Sequence, residues 1–148
     1  DGIDFDDEYA DYPATGAGQV NDSSFVFLVS SLRQMMPDKI ISLYFYGPAA
    51  SHLSYGGVTV GSQINFSWNA IYGSFDPPVV PGLSNADLAP AAIDIASTPA
   101  SVAVRLADET ISNYYGAYLY YNLPNGDYHY YLSGITQQLY GQDTVYVP

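Results

Sequence analysis

The chain begins Asp1-Gly2-Ile3-Asp4-Phe5-Asp6-Asp7-Glu8, and no other stretch constrains its fold as strongly. At the two-residue period of a strand, Ile3 and Phe5 fall on one face and Gly2, Asp4, Asp6 and Glu8 on the other. The apolar pair demands burial, so the segment reads as a strand with one covered face and one acidic face. Successive carboxylates on that face stand about 6–7 Å apart by the strand rise. Aligned in this way they repel one another, which favours protonation of one of them, the state a general acid needs. Residue pattern alone leaves three readings open: a catalytic carboxylate set, a solvated acidic edge, or a metal site. An EF-hand-type loop is excluded, because the run from Asp4 has Tyr9 and Thr15 where Gly and Glu are required.

Further along, Asp11 to Asn21 is rich in Gly, Pro, Ala and Thr and reads as a loop. A helix is expected from Asp22, capped by Ser23 or Ser24, with Phe25, Leu28, Val29, Leu32 and Met36 at helical spacing and Pro37 beyond. Strands are expected at Lys39 to Tyr46 and Asn65 to Tyr72, with an aperiodic connection over 49–63 and a Pro-rich loop through Pro81. Leu88 to Ala96 reads as a buried strand, since Pro90 disfavours a helix. A helix follows from Pro99, with Thr98 as its cap. Tyr115 to Asn122 is the last strand, and a helix from Asp127 ends at Gly141. Alternating strands and helices point to α/β architecture with a parallel sheet.

Composition narrows the function. Fifteen acidic residues face three basic ones among 148, a net charge of −12, which excludes a nucleic acid or an anionic membrane as partner. There is no cysteine, so disulfides and thiolate chemistry are absent. No apolar run reaches membrane-spanning length, and no signal-peptide pattern stands at the start. No Gly-x-Ser-x-Gly, dinucleotide or phosphate-loop motif occurs, so a serine hydrolase is disfavoured and no cofactor or metal is expected.

The opening segment resembles the Asp-Gly-x-Asp-x-Asp-x-Glu signature of glycoside hydrolase family 18, matched at Asp1, Gly2, Asp4, Asp6 and Glu8. With Phe5, Asp7 and Tyr9 in the variable places it is closer to the endoglycosidase H-like endo-β-N-acetylglucosaminidases than to the chitinases. The likeness continues through Asn21 to Phe25, Met36 to Tyr44, Gly47 to Ser51, Leu53 to Gly57, Trp68-Asn69, Tyr72-Gly73 and Tyr118 to Leu123, nearly the whole chain.

The resemblance implies hydrolysis of the β-1,4 bond in the N,N'-diacetylchitobiose core of N-linked glycans, by a substrate-assisted retaining mechanism. Glu8 is then the acid/base, Asp6 holds the substrate's 2-acetamido group while it closes an oxazolinium ring, and Asp4 modulates the charge on Asp6. Asn69 and Tyr72 would bind substrate, but on a regular strand Asn69 and Ile71 share a face and Tyr72 points away. Tyr72 therefore needs a bulge to reach the sugar, or another hydroxyl replaces it. Tyr46, Tyr72 and Tyr121 are the preferred sugar-contacting tyrosines, because they stand near the carboxyl ends of expected strands. Trp68 reads as core packing, and His52 and His129 as surface residues. The alternatives are a catalytically inactive, chitinase-like carbohydrate-binding protein and a chitinase; retention of both Asp6 and Glu8 argues against the first.

The family's fold is a (β/α)₈ TIM barrel of about 250 residues, with the signature on its fourth strand. The strands read at Asp1, Lys39, Asn65, Leu88 and Tyr115 would be the fourth to eighth, and residues 1–148 the C-terminal portion of a single catalytic barrel. On that reading a missing N-terminal fragment, or a second copy, supplies the first three strands. A secreted enzyme is implied as well.

Overall fold

The computed structural model describes residues 1–9 and 12–147. Strand β1 (Gly2–Phe5) is followed by a short helix α1 (Tyr12–Thr15) inside the expected loop, where the Thr15 hydroxyl donates to the Tyr12 carbonyl at 3.1 Å. Asp11, the first residue of that loop reading, lies outside the described residues. Helix α2 (Asp22–Met35) starts where expected, but its cap is Asn21. The Asn21 side chain accepts from the Ser24 N–H at 3.0 Å and Ser24 returns the bond, satisfying two otherwise orphaned donors. Phe25, Val26 and Val29 are buried, whereas Leu28, expected on the apolar stripe, is exposed.

Strand β2 (Ile40–Phe45) leads into a segment that had no clear period in sequence. It holds two single-turn 3₁₀ helices, Pro48–Ser51 and Val60–Ser62, around a hairpin of β3 (Ser54–Tyr55) and β4 (Val58–Thr59). Strand β5 (Phe66–Asn69) is shorter than expected. Strand β6 (Ser74–Phe75), unforeseen in the sequence, precedes the Pro-rich loop. The predicted strand over 88–96 is divided at Pro90 into β7 (Leu88–Ala89) and β8 (Ala91–Asp94). Helix α3 (Ala100–Ser112) begins after Pro99, and Thr98 does not cap it; the Thr98 hydroxyl accepts from the Asp94 N–H at 3.1 Å. Strand β9 (Leu119–Tyr121) and helix α4 (His129–Tyr140) complete the order, with Gly141 closing α4 at φ 67°.

Strands β1, β2, β5 and β7 pair side by side, all parallel and in chain order. At Pro90 the partner changes: β7 pairs with β5, and β8 pairs in parallel with β9 and antiparallel with β6. Pro90 has no N–H to offer a ladder, and its carbonyl accepts from the Asp76 N–H at 2.8 Å and the Asn69 amide at 2.8 Å. Each of the five predicted strands has a counterpart, the fourth divided between a four-stranded sheet of β1, β2, β5 and β7 and a three-stranded sheet of β6, β8 and β9.

Alternation divides the two faces of these sheets. Ile41 and Leu43 of β2 pack with Phe25, Val26 and Val29 of α2 in one core. Ala91, Ile93 and Ile95 pack with Leu106 of α3 and Ile135 of α4 in a second. Both cores lie on the helix-covered face. The other face carries Asp4 beside Ser42 and Ser42 beside Phe66 in one row, and Tyr44, Trp68 and Ala89 in the next. It is polar and aromatic, and Asp4 on it is exposed.

Candidate active site

Strand β1 ends at Phe5, short of the expected residue 8, because the Asp6 carboxylate accepts from the Glu8 N–H at 3.3 Å and draws the backbone into a turn. Phe5 is held on the covered face by an edge contact with Phe25, ring centroids 5.3 Å apart. Asp4, Asp6 and Glu8 therefore all open into one cleft of about 600 Å³ at the carboxyl ends of the strands. This is the end where parallel α/β sheets place their ligands and catalytic groups.

Asp4 is anchored. Its Oδ1 accepts from the Ser42 hydroxyl at 2.5 Å and from the Trp68 indole N–H at 2.9 Å. Trp68, read in sequence as core packing, instead lines the cleft. The signal for it was parity: register carries the face of Asp4 through Ser42 to Phe66, and Trp68 shares the Phe66 face.

Tyr46, Tyr72 and Tyr121 line the same cleft. Tyr72 reaches it without a bulge. The Asn69 side-chain oxygen accepts from the Ile71 N–H at 2.8 Å, ending β5 and starting a turn that swings Tyr72 inward. There its ring stacks on Tyr121, centroids 4.9 Å apart and planes within 17°. Asn69 itself is placed elsewhere. It is 3% exposed, and its amide donates to the Ser74 hydroxyl at 2.9 Å and the Pro90 carbonyl at 2.8 Å, away from the cleft.

Tyr44 and Tyr9 were not singled out in sequence. The Tyr44 hydroxyl donates to the Ala70 carbonyl at 3.0 Å and meets the Tyr72 hydroxyl at 3.3 Å. Burial first, then that hydrogen bond, pushes the Tyr44 phenol well above its ordinary pKa, and the charges of Glu8 and Asp6 add to the effect. It stays a proton donor at any working pH. Tyr9 is raised as well, chiefly by a hydrogen bond to Glu8. The two histidines pair with carboxylates, His52 with Asp22 at 2.9 Å and His129 with Asp127 at 2.5 Å, and neither lines this cleft. Among the described residues no cluster of three His, Asp or Glu side chains fits a metal ion. No helix among the described residues is long and apolar enough to cross a membrane.

The arrangement is an acidic strand end facing a wall of tyrosine and tryptophan, with hydroxyl, indole and carboxylate groups converging on one opening. Such a site suits a neutral, hydroxyl-rich ligand with apolar ring faces and can supply both a proton donor and a fixed negative charge. The α/β fold that carries it is shared with a crystal structure of Bacteroides thetaiotamicron EndoBT-3987 with Man5GlcNAc product. There the TM-score is 0.73 at 22% identity, over 97% of this chain and 35% of that one. The same protein in complex with Man9GlcNAc2Asn substrate gives a TM-score of 0.65 at 21% identity, over 83% of this chain and 32% of that one.

In sequence the chain is 46% identical over 146 residues to an endo-β-N-acetylglucosaminidase of Flavobacterium sp. (strain SK1022), across 99% of this chain and 46% of the relative. It is 27% identical over 158 residues to endo-β-N-acetylglucosaminidase F1 of Elizabethkingia meningoseptica, again across 99% of this chain and 46% of the relative. The chain thus spans less than half the length of these curated relatives. No family model matches it.

Proposed function

We propose that this chain forms the catalytic part of an endo-β-N-acetylglucosaminidase of glycoside hydrolase family 18, acting on the N,N'-diacetylchitobiose core of N-linked glycans outside the cell that makes it. The observation that carries the reading is the presentation of Asp6 and Glu8 together, from one strand end, into the tyrosine-walled cleft. The 46% identical relative supports the activity. Glu8 protonates the departing glycosidic oxygen, the substrate's acetamido oxygen attacks the anomeric carbon, and Glu8 then takes a proton from the water that opens the oxazolinium ring. Asp6 orients the acetamido group and offsets its developing positive charge; Asp4, fixed by Ser42 and Trp68, stands behind Asp6.

The same reading makes the five predicted strands the fourth to eighth of a TIM barrel. Among the described residues β1 pairs on one side only, with β2, and the acidic face beside it is open, features that a closed barrel removes. The relatives' greater length leaves room for strands to close it, supplied from a preceding segment.

Kinetics of the protein expressed from its whole gene, on a high-mannose glycopeptide, test the assignment. Glu8→Gln is expected to abolish hydrolysis, and Asp6→Asn to block it at oxazoline formation. Full activity of Glu8→Gln would remove Glu8 from the role. Cleavage of free chitin oligomers, with the glycopeptide untouched, would make the protein a chitinase; binding of glycan with no cleavage of either would make it a carbohydrate-binding protein.

A further inference from the structure

Glu8 lies beyond the last hydrogen-bonded residue of β1, so the sheet ladder does not hold it in place. Besides the bond from its N–H to the Asp6 carboxylate, its backbone is held through the residue before it. The Asp7 carboxylate points away from the cleft and uses both oxygens. Oδ1 accepts from the Tyr12 hydroxyl at 2.6 Å, and Oδ2 accepts from the Ala49 N–H at 2.8 Å, in the 3₁₀ turn that follows β2. The hydrogen bond to Asp7 raises the Tyr12 phenol to about 12, so it remains a donor throughout the working pH range. The chain leaving β2 presses on the same peptide. Gly47 has φ 74°, and a Cβ there would stand 2.7 Å from the Asp7 carbonyl carbon and oxygen and 3.1 Å from the Glu8 nitrogen.

From this geometry we infer that Asp7 is a positioning residue for Glu8. Its carboxylate bolts the Asp7–Glu8 peptide to the end of β2 on one side and to the segment after residue 11 on the other. The inference rests on the proposed glycosidase reading, in which Glu8 must meet the glycosidic oxygen and later a water at hydrogen-bond distance. A shift of about 1 Å in such a group costs on the order of 10²-fold in rate. Asp7 does not line the cleft, so its loss acts on the chemical step rather than on binding.

Steady-state kinetics of the whole protein on a glycopeptide separate this from a purely structural role. Asp7→Ala is expected to lower kcat on the order of 10²-fold with KM within about twofold. Asp7→Asn places its amide oxygen on the Ala49 N–H and its amide nitrogen on the Tyr12 oxygen, so it should regain most of that loss. Tyr12→Phe removes one strut only and is expected to lower kcat several-fold with KM unchanged. It also decides the matter if Asp7→Ala fails to fold. The inference is overturned by Asp7→Ala that is folded with full kcat, by a rise in KM as the main effect, by Asp7→Asn as slow as Asp7→Ala, or by Tyr12→Phe with unchanged kcat. An unsubstituted protein inactive on glycopeptide would instead fault the glycosidase reading itself.

Discussion

The Trp68 indole crosses the width of β2 to donate to Asp4 Oδ1 at 2.9 Å, the same oxygen that receives the Ser42 hydroxyl at 2.5 Å. Two neutral donors from two neighbouring strands thus fix one carboxylate on the open face of the sheet. Trp68→Phe keeps the ring against Phe66, where the planes lie within 17°, and deletes only the donor. The expected result is a fall of about tenfold in kcat/KM, the lower end for a hydrogen bond to a charged acceptor, with an unchanged melting temperature. Equal kcat/KM for the two proteins would mean that Asp4 needs no anchor from the indole.

The stacked pair of Tyr72 and Tyr121 joins the turn after β5 to the end of β9 and presents aromatic surface to the cleft. Tyr121→Ala removes a contact worth about 0.5–1.5 kcal/mol between the rings and frees Tyr72 to turn. A higher KM for glycopeptide, by roughly tenfold, is expected with a smaller change in kcat. An effect confined to kcat would show that the pair does not bind the sugar chain.

How far the sequence prefigures these contacts depends on the kind of force involved. Alternation in Ile3-Asp4-Phe5 and the apolar spacing of Phe25, Val29 and Leu32 reflect burial, which is periodic and legible. The ends of β1 and β5 are not, because each is set by one side chain capturing a nearby N–H: Asp6 takes that of Glu8 and Asn69 that of Ile71. That capture brings Tyr72 into the site and turns the Asn69 amide out of it. Trp68 departs from the core position its residue type suggests, because an aromatic residue on a strand usually marks the covered face. Here that face takes Ser67 and Asn69, each satisfied by backbone groups, Ser67 through the Leu43 carbonyl at 2.8 Å.

Asp94, at the end of β8, accepts from the Ser97 hydroxyl at 2.7 Å, the Ala96 N–H at 3.0 Å and the Asn122 amide at 3.1 Å. The Ser97 bond is the main cause that holds its carboxyl below the ordinary 3.8, against a smaller opposing effect of desolvation. A depressed carboxyl stabilises the fold above its ordinary pKa and loses that contribution as pH falls through the folded value. Melting temperatures of the protein and of Asp94→Ala should therefore differ by a constant amount above the ordinary carboxylate range and converge as the pH is lowered below it. A gap that widens on acidification would contradict this.

Arg33 spends its guanidinium on the fold. Nε donates to the Gln63 carbonyl at 2.7 Å, Nη1 to the Lys39 carbonyl at 2.9 Å, and Nη2 to the Asn65 side chain at 2.7 Å. Asn65 in turn accepts from the Ile41 N–H at 2.9 Å, so α2, β2 and the approach to β5 meet at one planar group. A lysine ammonium cannot reproduce that fork. Urea unfolding of Arg33→Lys is expected to show a loss of roughly 2 kcal/mol; a loss below about 0.5 kcal/mol would reduce the cluster to surface decoration.

The bond that the protein cuts tests its assignment most directly. A peptide bearing a high-mannose glycan on asparagine, incubated with the protein expressed from its whole gene and read by mass, is predicted to give a peptide retaining a single N-acetylglucosamine and a free glycan ending in the other. A bare peptide, release of the intact core disaccharide with the glycan, or no cleavage at all would contradict it.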